Sequence, residues 1–106
     1  MVAMDCEMCE TQDPVTNEKE SNSLVRFSVI DATDPSRVLI DQLVCPTNPI
    51  TDARTRIHGI TEEQLNSVKF TLRHAQAALL KLINEDTIII GHSLHHDLKA
   101  MHIVHE

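Results

Sequence analysis

Near the end of the chain, the stretch Thr87-Ile-Ile-Ile90 constrains the fold more than any other. It is a continuous apolar run with no polar alternate, preceded by a helical pattern and broken by Gly91-His-Ser. A strand of that kind is buried on both faces, which is characteristic of parallel sheets covered by helices. Coming after a helix, it predicts a crossover back into a sheet that earlier strands have begun. The chain therefore reads as α/β.

The earlier strands are visible as alternation. At the start, Val2, Met4, Cys6 and Met8 fall on one face while Ala3, Asp5 and Glu7 share the other. Residues 24–32 place Val25, Phe27 and Val29 on one side, with Arg26 and Ser28 on the other. Asp34-Pro35-Ser36 is a turn signal, and residues 38–45 form a third strand closed by Pro46 and Pro49. Residues 11–23, rich in Thr, Gln, Asp, Asn, Glu and Ser, read as a flexible loop insertion. Three strands joined in this way imply an antiparallel meander. Thr61-Glu-Glu-Gln64 is a capping box with an Ile60–Leu65 staple, so a short helix starts there. Thr71 opens a longer helix with Leu72, Ala75, Leu79 and Leu82 at helical spacing, ended by Asn84. Ser93 can cap a last helix whose stripe is Leu94, Leu98 and Met101.

A chain of 106 residues is one domain or part of one. It has no Trp or Tyr, so Leu, Ile, Val and Met must fill the core around Phe27 and Phe70. The net charge of −7 argues against a free-standing basic nucleic-acid module. It does not exclude an enzyme whose bound metals invert the local field. Three cysteines without a secretory signal, and no apolar run of membrane-spanning length, point to a reducing intracellular setting. No second pair accompanies Cys6-x-x-Cys9, so Cys6 reads as a small buried hydrophobe.

Asp5 and Glu7 are the first candidates for chemistry. Two acids side by side on an apolar strand repel each other and resist desolvation. A divalent cation removes both penalties; the alternative is an edge strand with solvated acids. Asp97 lies three residues from Leu94 and four from Met101, on or beside the inward face of the last helix. That is just past the carboxyl end of the apolar strand, where open α/β sheets gather ligands. If this strand pairs beside the first, Asp97 can meet Asp5 and Glu7 around one pair of cations. Otherwise Asp97 simply favours the positive end of the helix dipole. His92, His95 and His96 crowd one turn and admit a zinc reading, although the H-E-x-x-H pattern is absent. His58 precedes Gly59 in a loop feeding a helix N-terminus, whose N–H groups suit an anion.

With these residues assembled, the chain resembles the DEDD-superfamily exonucleases, nearest to the Rex-type RNA exonucleases. Ala3-Met-Asp-Cys-Glu-Met8 is similar to their first motif, and Ile40-Asp-Gln-Leu-Val-Cys-Pro46 with Asn48-Pro-Ile50 to their third strand and its exit. His58-Gly-Ile-Thr61 resembles the segment that approaches the terminal nucleotide, and Gly91-His-Ser-Leu-His-His-Asp-Leu98 the second motif. The resemblance implies a ribonuclease-H-like fold and 3′→5′ hydrolysis of RNA or DNA ends with two Mg²⁺ or Mn²⁺ ions. It implies that Asp5, Glu7 and Asp97 are metal ligands and that Met8, His58 and Ile60 hold the terminal nucleotide. The general-base histidine and fourth acid of the family match nothing before Glu106. The chain is therefore expected to be the N-terminal portion of a domain truncated before its last strand and helices, weak or inactive alone. A nuclear setting is the family expectation. Two other readings stay open, a nuclease-like module that binds metal or nucleic acid without cutting, and a zinc protein using the histidine cluster.

Overall fold

The computed structural model describes residues 1–83, 87–91, 97, 100 and 101. Strands β1 (Val2–Gln12), β2 (Lys19–Asp31) and β3 (Asp34–Leu43) form the expected antiparallel meander. A short β4 (Ile50–Asp52) follows, then helices α1 (Thr55–His58), α2 (Glu62–Asn66) and α3 (Leu72–Leu82), and finally β5 (Ile89–Ile90). The sheet order is β3-β2-β1-β4, and β5 also pairs with β1. This last pairing is parallel, with Val2 opposite Ile89 and Ala3 opposite Ile90. The crossover implied by the apolar run is thus present, and it returns beside the strand that carries Asp5 and Glu7. β4 occupies the same edge of β1 further along, at Glu10 and Thr11.

Alternation on β1 divides the molecule into two layers. Val2, Met4 and Cys6 join Leu24, Phe27, Val29, Val44 and Ile89 in one cluster, covered by Ala75 and Leu79 of α3 together with Ala100 and Met101. On the opposite face, at the far end of β1, Cys9 and Val25 pack beneath Ile60 and Leu65. The change of face comes from a bulge. Glu7 pairs with Arg26 but Met8 pairs with Leu24, so Val25 is an extra residue that turns into the second cluster. The expectation that Val25, Phe27 and Val29 share a side fails for that reason.

Local signals explain the helices. In α2 the Gln64 N–H donates to Thr61 Oγ1 at 3.2 Å, and the Thr61 N–H to Gln64 Oε1 at 2.8 Å. Ile60 and Leu65 are both buried in one cluster, as a hydrophobic staple requires. α3 begins with the Thr71 N–H donating to His74 Nδ1 at 3.0 Å. Its inward face is Leu72, Ala75 and Leu79, whereas Leu82 is exposed. The helix ends at Leu82, with Ile83 extended as its cap; Asn84 lies outside the described residues. α1 closes on Gly59 at φ 78°, a left-handed conformation that glycine adopts without strain.

Three further expectations need correction. Strand pairing runs through much of 11–23, leaving a connection of only residues 13–18. Thr11 is buried there and shares a 2.7 Å hydrogen bond with Ser23, so polar composition did not preclude a ladder. The second reversal falls at residues 32–33 rather than at Asp34-Pro35-Ser36, because Asp31 Oδ1 accepts both the N–H and the hydroxyl of Thr33. Pro35 then sits on β3, an outer strand of the described sheet, where its missing N–H breaks no ladder bond. Lastly, β5 is not buried on both faces: Ile89 is 8% exposed, but Ile88 is 57% and Ile90 43% exposed. Ile89 joins the α3-covered cluster, and among the described residues nothing covers the other face.

Candidate active site

Asp5 and Glu7 project from the β1 face away from α3. Asp5 is exposed and Glu7 half-buried, between the Ala3–Ile90 pair on one side and the Ile60–Leu65 cluster on the other. Across β2 they meet Ser28 and Arg26 respectively. Directly opposed residues of an antiparallel pair share a face, so Arg26 and Ser28 belong to this surface. Ser28 Oγ donates to the Asp5 carbonyl at 3.4 Å. Arg26 is held by Asp41 on β3, with Nε to Oδ1 at 2.9 Å and Nη2 to Oδ2 at 2.8 Å. That bidentate bond raises the guanidinium pKa and lowers the Asp41 carboxyl below its ordinary value, while the nearby Glu7 and Asp5 charges add to the first effect.

Asp97 is only 4% exposed, as its position on the stripe predicts. Its carbonyl accepts the Met101 N–H at 3.0 Å, a helical turn. That turn is docked by Ala100 and Met101 in the first cluster and by Gln76 Nε2 donating to the Met101 carbonyl at 2.8 Å. Leu94 and Leu98 lie outside the described residues. The three acids act together on one group, Cys6. Burial pushes this thiol far above its ordinary pKa, and the negative fields of Asp97, Asp5 and Glu7 push it further. The charges of all three thus reach Cys6, which lies on the opposite face of β1 from Asp5 and Glu7. Among the described residues, however, no group of three His, Cys, Asp or Glu side chains is placed to hold a metal.

Met8 packs half-buried against the first cluster, and Ile60 is 5% exposed in the second, so their side chains are not brought together. His58 ends α1, and its Nδ1 accepts the Ile60 N–H at 3.1 Å. This acceptor role puts the neutral ring's proton on Nε2, which is buried without a hydrogen-bond partner among the described residues. Cys6 and Cys9 are both buried, in different clusters. Burial moves the Cys9 thiol up to about 11. Neither is a thiolate at neutral pH, in keeping with Cys6 as a hydrophobe. His92, His95 and His96 lie outside the described residues. The Arg26–Asp41 pair went unread in the sequence: alternation placed Arg26 on the polar face, but its partner depends on strand register.

A sequence model of the exonuclease family, of RNase T type, matches residues 2–103. The chain belongs to the exonuclease family. Among its relatives, Small RNA degrading nuclease 2 of Arabidopsis thaliana is 38% identical over 105 residues, covering 99% of this chain and 21% of that protein. RNA exonuclease 1 of Saccharomyces cerevisiae is 42% identical, over 97% of this chain and 17% of the relative. The human RNA exonuclease 1 homolog is 43% identical, over 97% and 8%. The chain thus spans about a fifth or less of the length of these relatives. A solved structure of the S. cerevisiae Pan2 pseudoubiquitin hydrolase–RNA exonuclease module with AAGGA RNA superposes with a TM-score of 0.78 at 24% identity, over 99% of this chain and 19% of that one. The Neurospora crassa Pan2 catalytic unit gives 0.72 at 21% identity, over 98% and 17%. At such identities the likeness speaks to the fold, which is ribonuclease-H-like.

Proposed function

We propose that the chain carries the metal-binding face of a 3′→5′ exonuclease acting on RNA ends, with single-stranded DNA as a secondary substrate. The observation that carries this reading is the pair Asp5 and Glu7 on one open face of β1, beside the parallel strand that leads toward buried Asp97. The donor set is all carboxylate oxygen, and the nearby thiol is held protonated, so the site suits hard cations such as Mg²⁺ or Mn²⁺. Asp5, Glu7 and Asp97 are the residues that would hold them. The chemistry such a cation pair supplies is charge stabilisation at the attacking and leaving oxygens of an in-line displacement. Met8, His58 and Ile60 are assigned to the terminal nucleotide, and the buried Nε2–H of His58 has no hydrogen-bond acceptor among the described residues. The names of the relatives support RNA as the polymer. We place the protein in the nucleus, following the family resemblance.

The test is hydrolysis of a 5′-labelled RNA with a single-stranded 3′ tail in Mg²⁺. No residue of the chain is assigned to activating water, so we expect weak turnover or none. Any products should shorten from the 3′ end and disappear in Asp5→Ala; shortening from the 5′ end contradicts the direction. A second reading keeps the same pair of acids, Asp5 and Glu7, without the turnover. It is a binding module that takes up metal or RNA ends without turnover. It requires Mn²⁺ binding that Glu7→Ala removes, with no cleavage in any extended form of the chain.

A further inference from the structure

The Arg26–Asp41 pair is not accounted for by stability. Its side chains are 44% and 45% exposed, and exposed ion pairs contribute about 0–1 kcal/mol. Its geometry is more informative. Glu7 is directly opposite Arg26, yet the guanidinium leans the other way and engages Asp41. Glu7 therefore makes no ion pair or hydrogen bond among the described residues. Asp41 takes the Nε–Nη2 edge of a planar fork whose donors match oxyanions in pairs. The other edge, Nη1 with the outer N–H of Nη2, is unengaged among the described residues, and Arg26 stands on the face of the sheet that presents the two acids.

We propose that Arg26 is a phosphate clamp beside the acid pair, and that Asp41 is the positioning residue holding its fork in the gripping orientation. The ligand is a backbone phosphate of single-stranded RNA, and the inference rests on the proposed reading of Asp5 and Glu7 as the reacting site. Physically the arrangement answers two needs. A polyanion approaching a surface of carboxylates needs a fixed positive charge close by. That charge must not close on Glu7, or it competes with the cation that Glu7 is to hold. Tethering the guanidinium to Asp41 meets both conditions, and only arginine can bind carboxylate and phosphate through separate edges at once.

The experiment uses the full 106-residue chain, a fluorescein-labelled oligoadenylate with a phosphorothioate 3′ linkage, and Mn²⁺. Anisotropy gives the RNA affinity across a salt series, and calorimetry gives Mn²⁺ affinity without RNA. Arg26→Met should weaken RNA binding about tenfold, as expected for a charge-assisted bidentate contact. It should also reduce the slope of log K against log salt by about 0.7, the single-strand value for one phosphate contact, while Mn²⁺ affinity is not reduced. Arg26→Lys should restore the slope without the affinity, because an ammonium cannot fork. Asp41→Asn should weaken RNA binding by about threefold with the slope kept, since the charge remains but its aim is lost. The proposal is overturned if Arg26→Met leaves affinity and slope unchanged, or if the wild-type chain does not bind the oligonucleotide. It is equally overturned if Lys69→Gln, in the connection between α2 and α3, produces the same loss. Failure of wild-type Mn²⁺ binding instead overturns the site reading, and the RNA series then decides the clamp by itself.

Discussion

Replacing Asp5 by Asn should make the metal-free protein more stable. Asp5 and Glu7 are two residues apart on one strand face, which puts their Cα atoms about 6.8 Å apart, and that spacing serves here for the charges as well. Two unit charges at that distance repel by about 0.6 kcal/mol at the dielectric of water and by about 2.4 kcal/mol at an effective dielectric of 20. Asp5 is exposed, so the lower figure applies, and physiological salt roughly halves it. Asp5 is the better choice than Glu7 because its cross-strand partner is Ser28, which bonds its main-chain carbonyl and is untouched by the change. Glu7 faces Arg26 directly, and its removal would forfeit a larger attraction to the guanidinium than the one Asp5 contributes. For a domain of this size, 0.6 kcal/mol corresponds to a rise in Tm of about 2–5 °C at low salt. Mn²⁺ should reverse the order. At one hundred times its Kd it would add about 2.7 kcal/mol to the wild type and little to Asp5→Asn. Thermal unfolding in chelator and in Mn²⁺, at low and high salt, reads both effects. A variant less stable in chelator, or shifted by Mn²⁺ as far as the wild type, would refute the electrostatic reasoning.

Other expectations follow from single contacts. Thr61→Ala removes the acceptor for the Gln64 N–H and should cost about 1 kcal/mol, seen as a lower urea midpoint with unchanged m. Asp41 has its folded-state pKa lowered by the Arg26 hydrogen bond. Its contribution is therefore present above the unfolded value near pH ~4 and fades as pH falls through the folded one; Arg26→Met should flatten that part of the acid limb in unfolding measured from pH 5 downward. Burial keeps Cys6 and Cys9 protonated, so in native protein at pH 8 only half-buried Cys45 should react with a thiol reagent. All the cysteines should react once urea unfolds the chain.

Much of the fold was legible because its signals are local. The apolar alternate of β1, the Thr61–Gln64 box and the inward face of α3 as far as Leu79 each depend on spacing within a few residues, and these appear as expected, whereas Leu82 is exposed. The burial of Asp97 followed from the same kind of spacing. What was not legible depends on pairing between distant residues. Thr11 and Ser23 read as loop because each is polar, yet they satisfy one another across a ladder. The Val25 bulge arises from fitting β2 to β1 and changes which core that side chain enters. The Asp31–Thr33 bonds place the reversal ahead of Pro35, although proline carries the stronger turn signal. The run at 87–90 correctly indicated a parallel strand but overstated its cover, since an apolar side chain does not say what lies above it. The acids were recognisable as a pair; the guanidinium beside them, and its tether, required the register of three strands.

The central claim is that Asp5, Glu7 and Asp97 act as one divalent-cation site. Calorimetric titration of Mn²⁺ into the wild-type chain and into Asp5→Ala, Glu7→Ala and Asp97→Asn tests it most directly. Circular dichroism on each variant confirms that the fold is retained. The expected result is saturable Mn²⁺ binding by the wild type and at least a tenfold weaker affinity in every variant. Binding that survives Asp97→Asn unchanged would contradict the claim by reducing the site to two solvated acids on a strand.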